Sequence, residues 1–423
     1  MAELIVAEPA AVASVKTVQG GWVASTFDAL QFPVYRVLWL GSVLAFLAFN
    51  MASTAQSVVA FDLTGSNRAV GSVMFGQGLA MCLLNPFGGA VADRFSKRFL
   101  ILLSQFVIGG VMLATAVLIA IDAITILILA AFAFTCGMMF SFLGPTRTAL
   151  LGEVVPPSRI GNGMALLQVG NNFARISGPF LAGSLLAWSL VGATGTYVVV
   201  AGAFIFVLVT LSRIPETPRD RSRQTKSVLS DVAVGFRYIK SRPRLLHTVL
   251  NFHVVMILAM GNFVLMPAFA KEVLDAGTEG LGVLLGVAAA GGFVMSLLVA
   301  SLADSRRAPL LLTLSALMAG LGLVFTALAP TFLIAVATMA FATGGTSAFQ
   351  TLNNSIALRL TEQEYHGRVM GLVFAAWGLI NLSSLPIGYI ADLVGEREVL
   401  GGCGGLLCLA ALLLPFWRSR LGE

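Results

Sequence analysis

Residues Gly88–Arg98 read GGAVADRFSKR. They close an apolar run that carries no charge after Arg68, and they gather one acid, Asp93, with three cations, Arg94, Lys97 and Arg98. Immediately afterwards the chain resumes as FLILLSQFVIGG at 99–110. A polar knot this short between two long apolar runs marks a chain that leaves an apolar phase and re-enters it.

The rest of the chain fits that reading. Of its 423 residues, 57% are hydrophobic and 11% charged, against about 25% charged in a soluble domain. The mean hydropathy is +0.91. Soluble packing cannot hide so much apolar surface, so lipid must be the solvent for most of it. Glu3 and Glu8 occupy the place where a secretory signal carries cations, so the N-terminus is expected to stay cytoplasmic. Cys82, Cys136, Cys403 and Cys408 all lie in apolar runs with no metal-site spacing, which makes them packing residues. No Walker motif, catalytic triad or metal cluster is present. The sequence therefore predicts neither an enzyme nor a cofactor.

A spanning helix needs about 20 mostly apolar residues. Twelve such runs are legible. Six fall at 36–61, 69–92, 99–121, 123–150, 160–189 and 191–212, and six at 246–272, 279–303, 309–328, 330–358, 367–392 and 398–417. The expected class is an all-α integral membrane protein, with segments 1–35 (cytoplasmic), 36–212 (six-helix bundle), 213–245 (basic linker), 246–417 (second bundle) and 418–423 (tail). Three of the 26 Lys and Arg residues, namely Arg68, Lys271 and Arg397, face away from the N-terminal side, and Arg175 lies within a span. The positive-inside rule then puts both termini in the cytoplasm of a multi-pass plasma-membrane protein. The linker carries nine basic residues against three acids. Leu229, Val232, Phe236 and Ile239 recur there at helical spacing. An amphipathic helix on the anionic inner leaflet and a solvated basic connector both account for this pattern. Either one explains a pI near 9.4 without nucleic acid as a partner.

The halves echo each other. Asp93 in AVADRFSKR corresponds to Asp304 in SLADSRR, and Arg159 in SRIGNGMAL to Arg368 in GRVMGLV. A repeat offset near half the chain length in a helical membrane protein marks a transporter built from two related bundles.

Six plus six spans, a basic central loop and the turn at Gly88–Arg98 resemble the major facilitator superfamily. The family's signature in that turn is Gly-x-Leu-Ala-Asp-Arg-x-Gly-Arg-Lys/Arg, matched here by Gly89, Ala92, Asp93, Arg94, Lys97 and Arg98, with Ser96 replacing the second glycine. The resemblance implies that Asp93 meets the N-terminus of span eleven, where Arg368 adds an ion pair, and the repeat predicts a mirror contact of Asp304 with Arg159. Helix N-termini attract anions in this way. Both latches are expected to close when the cavity faces outward; a static turn that only sets topology is the competing reading. RISGPFLAG (Arg175–Gly183) resembles the Gly-Pro motif of the superfamily's antiporters, in which Gly178 and Pro179 bend and thin span five. PTRTALLGEVVP (Pro145–Pro156), which contains Arg147, is similar to the drug:proton antiporter branch that holds macrolide efflux proteins and enterobactin-type siderophore exporters. FPVYRVLWLGS near the start and GFRYIKSRPRL before span seven point to the same branch. In the superfamily, spans one, four, seven and ten line the central cavity.

Polar residues inside spans point to a pathway. Gln168, Asn171, Asn172 and Arg175 follow 3–4 spacing and share one helix face. Two readings of Arg175 stand side by side: it draws anionic or electron-rich cargo, or it braces span five against span one through Asn50. Thr343, Thr346, Ser347, Gln350 and Asn354 form a second polar face in span ten, and Asn50, Gln56, Asn251 and His253 complete the candidates. Taken singly, each of these is more often a satisfied interhelical hydrogen-bonding strut. For a coupling proton, His253, Asp62 near the outer end of span one and Asp392 near the outer end of span eleven are the titratable candidates. The sequence is thus expected to encode a monomeric exporter of small hydrophobic or amphipathic compounds in the bilayer, with proton coupling implied by the resemblance. An importer or facilitator on the same fold and a non-transporting membrane scaffold or sensor are the alternatives.

Overall fold

The computed structural model describes residues 28–156, 159–213, 228–300, 302, 305 and 307–420, with side chains except those of 86, 89, 90, 92–94, 228–232, 363 and 414–420. The protein is all-α. Among the described residues, twelve long helices follow one another: α1 Pro33–Thr64, α2 Asn67–Arg94, α3 Lys97–Ala120, α4 Ile126–Val154, α5 Ile160–Ala187, α6 Gly192–Leu211, α7 Pro243–Val273, α8 Gly277–Ala300, α9 Ala308–Ala327, α10 Phe332–Arg359, α11 His366–Val394 and α12 Glu396–Arg420. Nine of these are both long and apolar enough to cross a membrane by composition; α2, α5 and α12 match them in length.

The repeat is written into the caps. Thr125 accepts from the Ile128 amide at the start of α4, and Thr331 accepts from Ile334 at the start of α10. A threonine hydroxyl satisfies one of the free amides of a helix N-terminus. Ser96 does the same for α3, its Oγ accepting from Phe99 at 3.2 Å with an extended backbone, φ −60°. The turn that follows Asp93 therefore needs no glycine at this position. Lys97 pairs with Glu153, and Arg98 donates to the Ser212 carbonyl at the end of α6. Two cations of the opening stretch thus tie α3 to α4 and to the end of α6.

Helices α1 and α5 are clasped by the Tyr35 hydroxyl, which donates to the Gly163 carbonyl (2.6 Å), and by the Trp39 indole, which donates to Leu166 (2.8 Å). Gly178 lets the same two helices touch, because a Cβ there would stand 2.5 Å from that of Asn50. The two halves meet along two seams, α2 on α11 and α5 on α8. Both rest on missing side chains. A Cβ on Gly78 would lie 2.8 Å from the Gly378 carbonyl, and one on Gly183 would lie 2.8 Å from the Gly282 Cα. Small residues let helix backbones approach in a medium where no hydrophobic force drives them together.

Among the described residues two helices are broken, both in the second half. In α7 the α-helix ends at Met260, passes through a 3-10 segment at Gly261–Leu265 and closes with a π segment at Phe269–Val273. Pro267, which has no amide to donate, stands between them. In α11 the break falls at Ala375.

The linker contains a helix, Val228–Lys240, whose far end is docked on the second half. Tyr238 stacks on Tyr365 with ring centroids 4.0 Å apart, and its hydroxyl accepts from the Glu362 amide. Arg242 lies over the Tyr238 ring and pairs with Glu362, and Ile239 is buried. Phe236 remains exposed. Of the apolar stripe seen in the sequence, protein covers Ile239 but not Phe236, and the side chains of Leu229 and Val232 lie outside the described residues.

Candidate substrate cavity

Between the halves lies a cavity of about 480 Å³. Helix α1 supplies Phe46, Phe49, Asn50, Ser53, Thr54 and Ser57; α2 supplies Met74, Gln77 and Met81. Phe140, Gly144 and Arg147 come from α4, and Asn171, Arg175 and Pro179 from α5. Across from them stand Met260, Phe263, Met266 and Pro267 of the broken α7, Leu281, Leu285 and Ala289 of α8, Thr343 of α10, and Trp377, Ile380, Asn381 and Ser384 of α11. Both helix breaks fall in this wall, where a distorted backbone is most often found at functional positions.

One end of the cavity is latched. Gly65 takes a left-handed conformation (φ 63°) after α1, and the turn aims the first amides of α2 at α11. There the Asp392 carboxylate accepts from the Ser66 hydroxyl (2.5 Å) and from the amides of Asn67 (2.8 Å) and Arg68 (3.0 Å). The Asn67 side chain donates to Glu396 (2.7 Å), and Lys271 pairs with Asp62. All of these links join the first half to the second at the end that carries Gly65 and Gly395.

The sequence candidates separate by their height along the helices. Asn50, Asn171 and Arg175 line the cavity. Arg147, expected among the conformational residues, lines it too, and so does Pro179. Gln168, Asn251, His253, Thr346, Gln350 and Asn354 do not. Gln168 is exposed, with its amide toward Asn172 at 3.4 Å. His253 Nδ1 is bound to the Val249 carbonyl of its own helix (2.7 Å), and Thr346 donates to Ala342 (2.9 Å). The physical reason is position. At 1.5 Å rise per residue, Gln350 lies roughly 10 Å below Thr343 and Gln168 roughly 10 Å below Arg175, toward the unlatched end. Asn50 does not brace Arg175 either, since its amide donates to Phe46 of its own helix (2.7 Å) and the guanidinium stands over Trp377 of α11, 5.8 Å from the ring centre.

Sequence reading missed Gln77, Asn381, Ser384 and Trp377. They sit on spans two and eleven, which the expectation left outside the lining set. The seam glycines Gly78 and Gly378 beside them are the signal that brings α2 and α11 to the cavity wall.

Of the conformational candidates, Arg159 pairs with Asp28, and Arg368 stands over the Tyr365 ring (5.4 Å). The side chains of Asp93 and Arg94 and the whole of Asp304 lie outside the described residues, so both predicted inner latches do too.

The Major Facilitator Superfamily model matches residues 38–383. The chain belongs to the major facilitator superfamily. Its transporter fold agrees with solved structures. It superposes on a bacterial homologue of the human lysosomal transporter Spinster, inward-facing and unoccupied, with a TM-score of 0.72 at 15% identity, over 92% of this chain and 96% of that one. On the nucleoside transporter NupG the TM-score is 0.74 at 12% identity, over 91% and 99% of the two chains. Among curated relatives, the enterobactin exporters of Shigella boydii serotype 18 and of Escherichia coli O1:K1 / APEC are each 26% identical over 380 residues, covering 89% of this chain and 86% of theirs. The superfamily member described here is thus a multi-pass membrane transporter.

Proposed function

We propose that the protein is a secondary exporter of small hydrophobic or amphipathic compounds that works by rocking its two halves, with both termini cytoplasmic and the latched end facing out. The observation that carries this reading is the cavity of about 480 Å³ between the halves, closed at one end by polar links that all cross from one half to the other. Such a cavity empties toward one side only after those links break and the opposite rim closes. The glycine seams supply surfaces on which the halves can roll. The enterobactin exporters among the relatives favour the outward direction. Proton coupling is carried into this reading by the resemblance to the drug:proton antiporter branch.

Inside-out vesicles test the proposal, with macrolides, catecholates, dyes and fatty acids offered as cargo. Uptake of at least one compound that a protonophore dissipates supports proton-coupled export. Asp93→Asn is expected to abolish that uptake while the protein still folds. Uptake seen only in right-side-out vesicles would make the protein an importer or facilitator, and transport-independent signalling untouched by Asp93→Asn would make it a sensor.

A further inference from the structure

We propose that the cavity selects aromatic anions, with Arg147 and Arg175 as a pair of counter-charges; this rests on the cavity being the cargo site. Arg147 enters the cavity from α4 and is only 4% exposed. Its guanidinium lies over the Phe46 ring, 4.7 Å from the centre, and its Nε has no hydrogen-bond partner. A buried guanidinium with an idle donor is costly unless something else arrives to accept from it. Arg175 enters from α5 and its guanidinium stands over Trp377 of the second half.

No described residue lining the cavity is an aspartate or glutamate. The polar groups that share the compartment are neutral: the amides of Asn50, Gln77, Asn171 and Asn381, and hydroxyls. Two like charges in an apolar compartment without a counter-ion set up a field that an anion relieves and a cation worsens. An arginine presents a planar fork of donors that fits a carboxylate, a sulfonate or a catecholate in two-point fashion.

The walls decide the body of the ligand. Phe49 and Phe140 are stacked with ring centroids 4.3 Å apart at 19°, and Phe46 meets Phe140 edge to face with centroids 6.1 Å apart. Met74, Met81 and Met260 line the same cavity. Aromatic faces and polarizable sulfur favour a flat aromatic cargo over an aliphatic one of equal charge. Each guanidinium already rests on a ring, so it keeps a polarised face toward the cavity when the ligand's rings slide in beside it.

Three water-soluble probes with the same ring system separate charge from shape: 2-naphthoate, 2-naphthamide and 2-naphthylmethylammonium. Affinity is read from the ligand-dependent rise in melting temperature of the purified full-length protein. The carboxylate is expected to stabilise most, the amide less and the ammonium least. Arg175→Gln and Arg147→Gln are each expected to weaken the carboxylate by roughly tenfold or more while leaving the amide nearly unchanged, as the loss of one charge-assisted contact requires. Should Arg147→Gln fail to fold, Arg147→Lys keeps the charge and should keep the order of the probes. An ammonium that binds as well as the carboxylate overturns the proposal. So does a carboxylate that gives no stabilisation, or a carboxylate-to-amide ratio unchanged in both glutamine variants. If the cation wins while vesicle uptake persists, the charge preference falls and the exporter reading stands; if the carboxylate wins and no uptake occurs, the reverse holds.

Discussion

Asp392→Asn should open the latched end. The carboxylate holds three donors at the start of α2, the Ser66 hydroxyl and two backbone amides. A shielded charge-assisted hydrogen bond contributes about 1.5–3 kcal/mol, and a negative charge at a helix N-terminus adds about 0.3–1 kcal/mol. Asp392 stands at an exposed rim, so water competes for every donor and these values shrink. The amide retains one acceptor oxygen and loses the charge. The net loss is then about 1–2 kcal/mol, which moves the balance between the closed and open states of the latched end by about 5–30-fold. Spin labels at Ile121 and Leu328, both exposed at the latched end and on opposite halves, report the opening as a longer distance in a background without Cys82, Cys136, Cys403 and Cys408. Labels on these two loops stay clear of the seams. A distance distribution unchanged by Asp392→Asn, in protein that still folds, would show that the carboxylate does not hold the end closed and would remove the polar latch from the account.

Gly183→Leu puts side-chain atoms where a Cβ alone would sit 2.8 Å from the Gly282 backbone; the α5–α8 seam then cannot close, and the same label pair should lengthen along with a stability loss of about 1–3 kcal/mol. Tyr238→Phe removes the acceptor of the Glu362 amide and should cost about 0.5–1.5 kcal/mol in thermal denaturation. Tyr238→Ala also removes the stack on Tyr365 and should cost more, which separates the two contributions. Trp39→Phe deletes one of the two polar clasps between α1 and α5 and should lower stability by about 1 kcal/mol, leaving substrate affinity unchanged. Lys97→Ala breaks a partly exposed pair with Glu153; it should cost less than about 1 kcal/mol, and the difference from the parent should vanish in high salt.

The opening stretch shows where legibility stops. The spacing of apolar runs forces helices, and the return of charge at Arg94, Lys97 and Arg98 forces a turn; both are local demands of a chain in lipid. Ser96 is a residue whose meaning changed with the structure: an imperfect match to a glycine position is, in the folded chain, the cap of α3. Arg175 and Asn171 were visible as members of one polar face, yet that face could not say which of its members reach the cavity. Gln168 shares the face and lies roughly 10 Å lower.

Sequence alone determined the solvent, the number and order of the spans, and the duplication of the two halves, because each follows from hydropathy and periodicity along one strand of chain. Only the tertiary structure decided that Arg147 and Arg175 face one compartment without a carboxylate beside them among the described residues, that α2 and α11 share its wall, and that Asp392 meets amides more than 320 positions away in the chain. Those facts depend on how high one helix stands against another. In lipid that height is set by side chains too small to signal it, glycines whose absent Cβ atoms let two backbones touch.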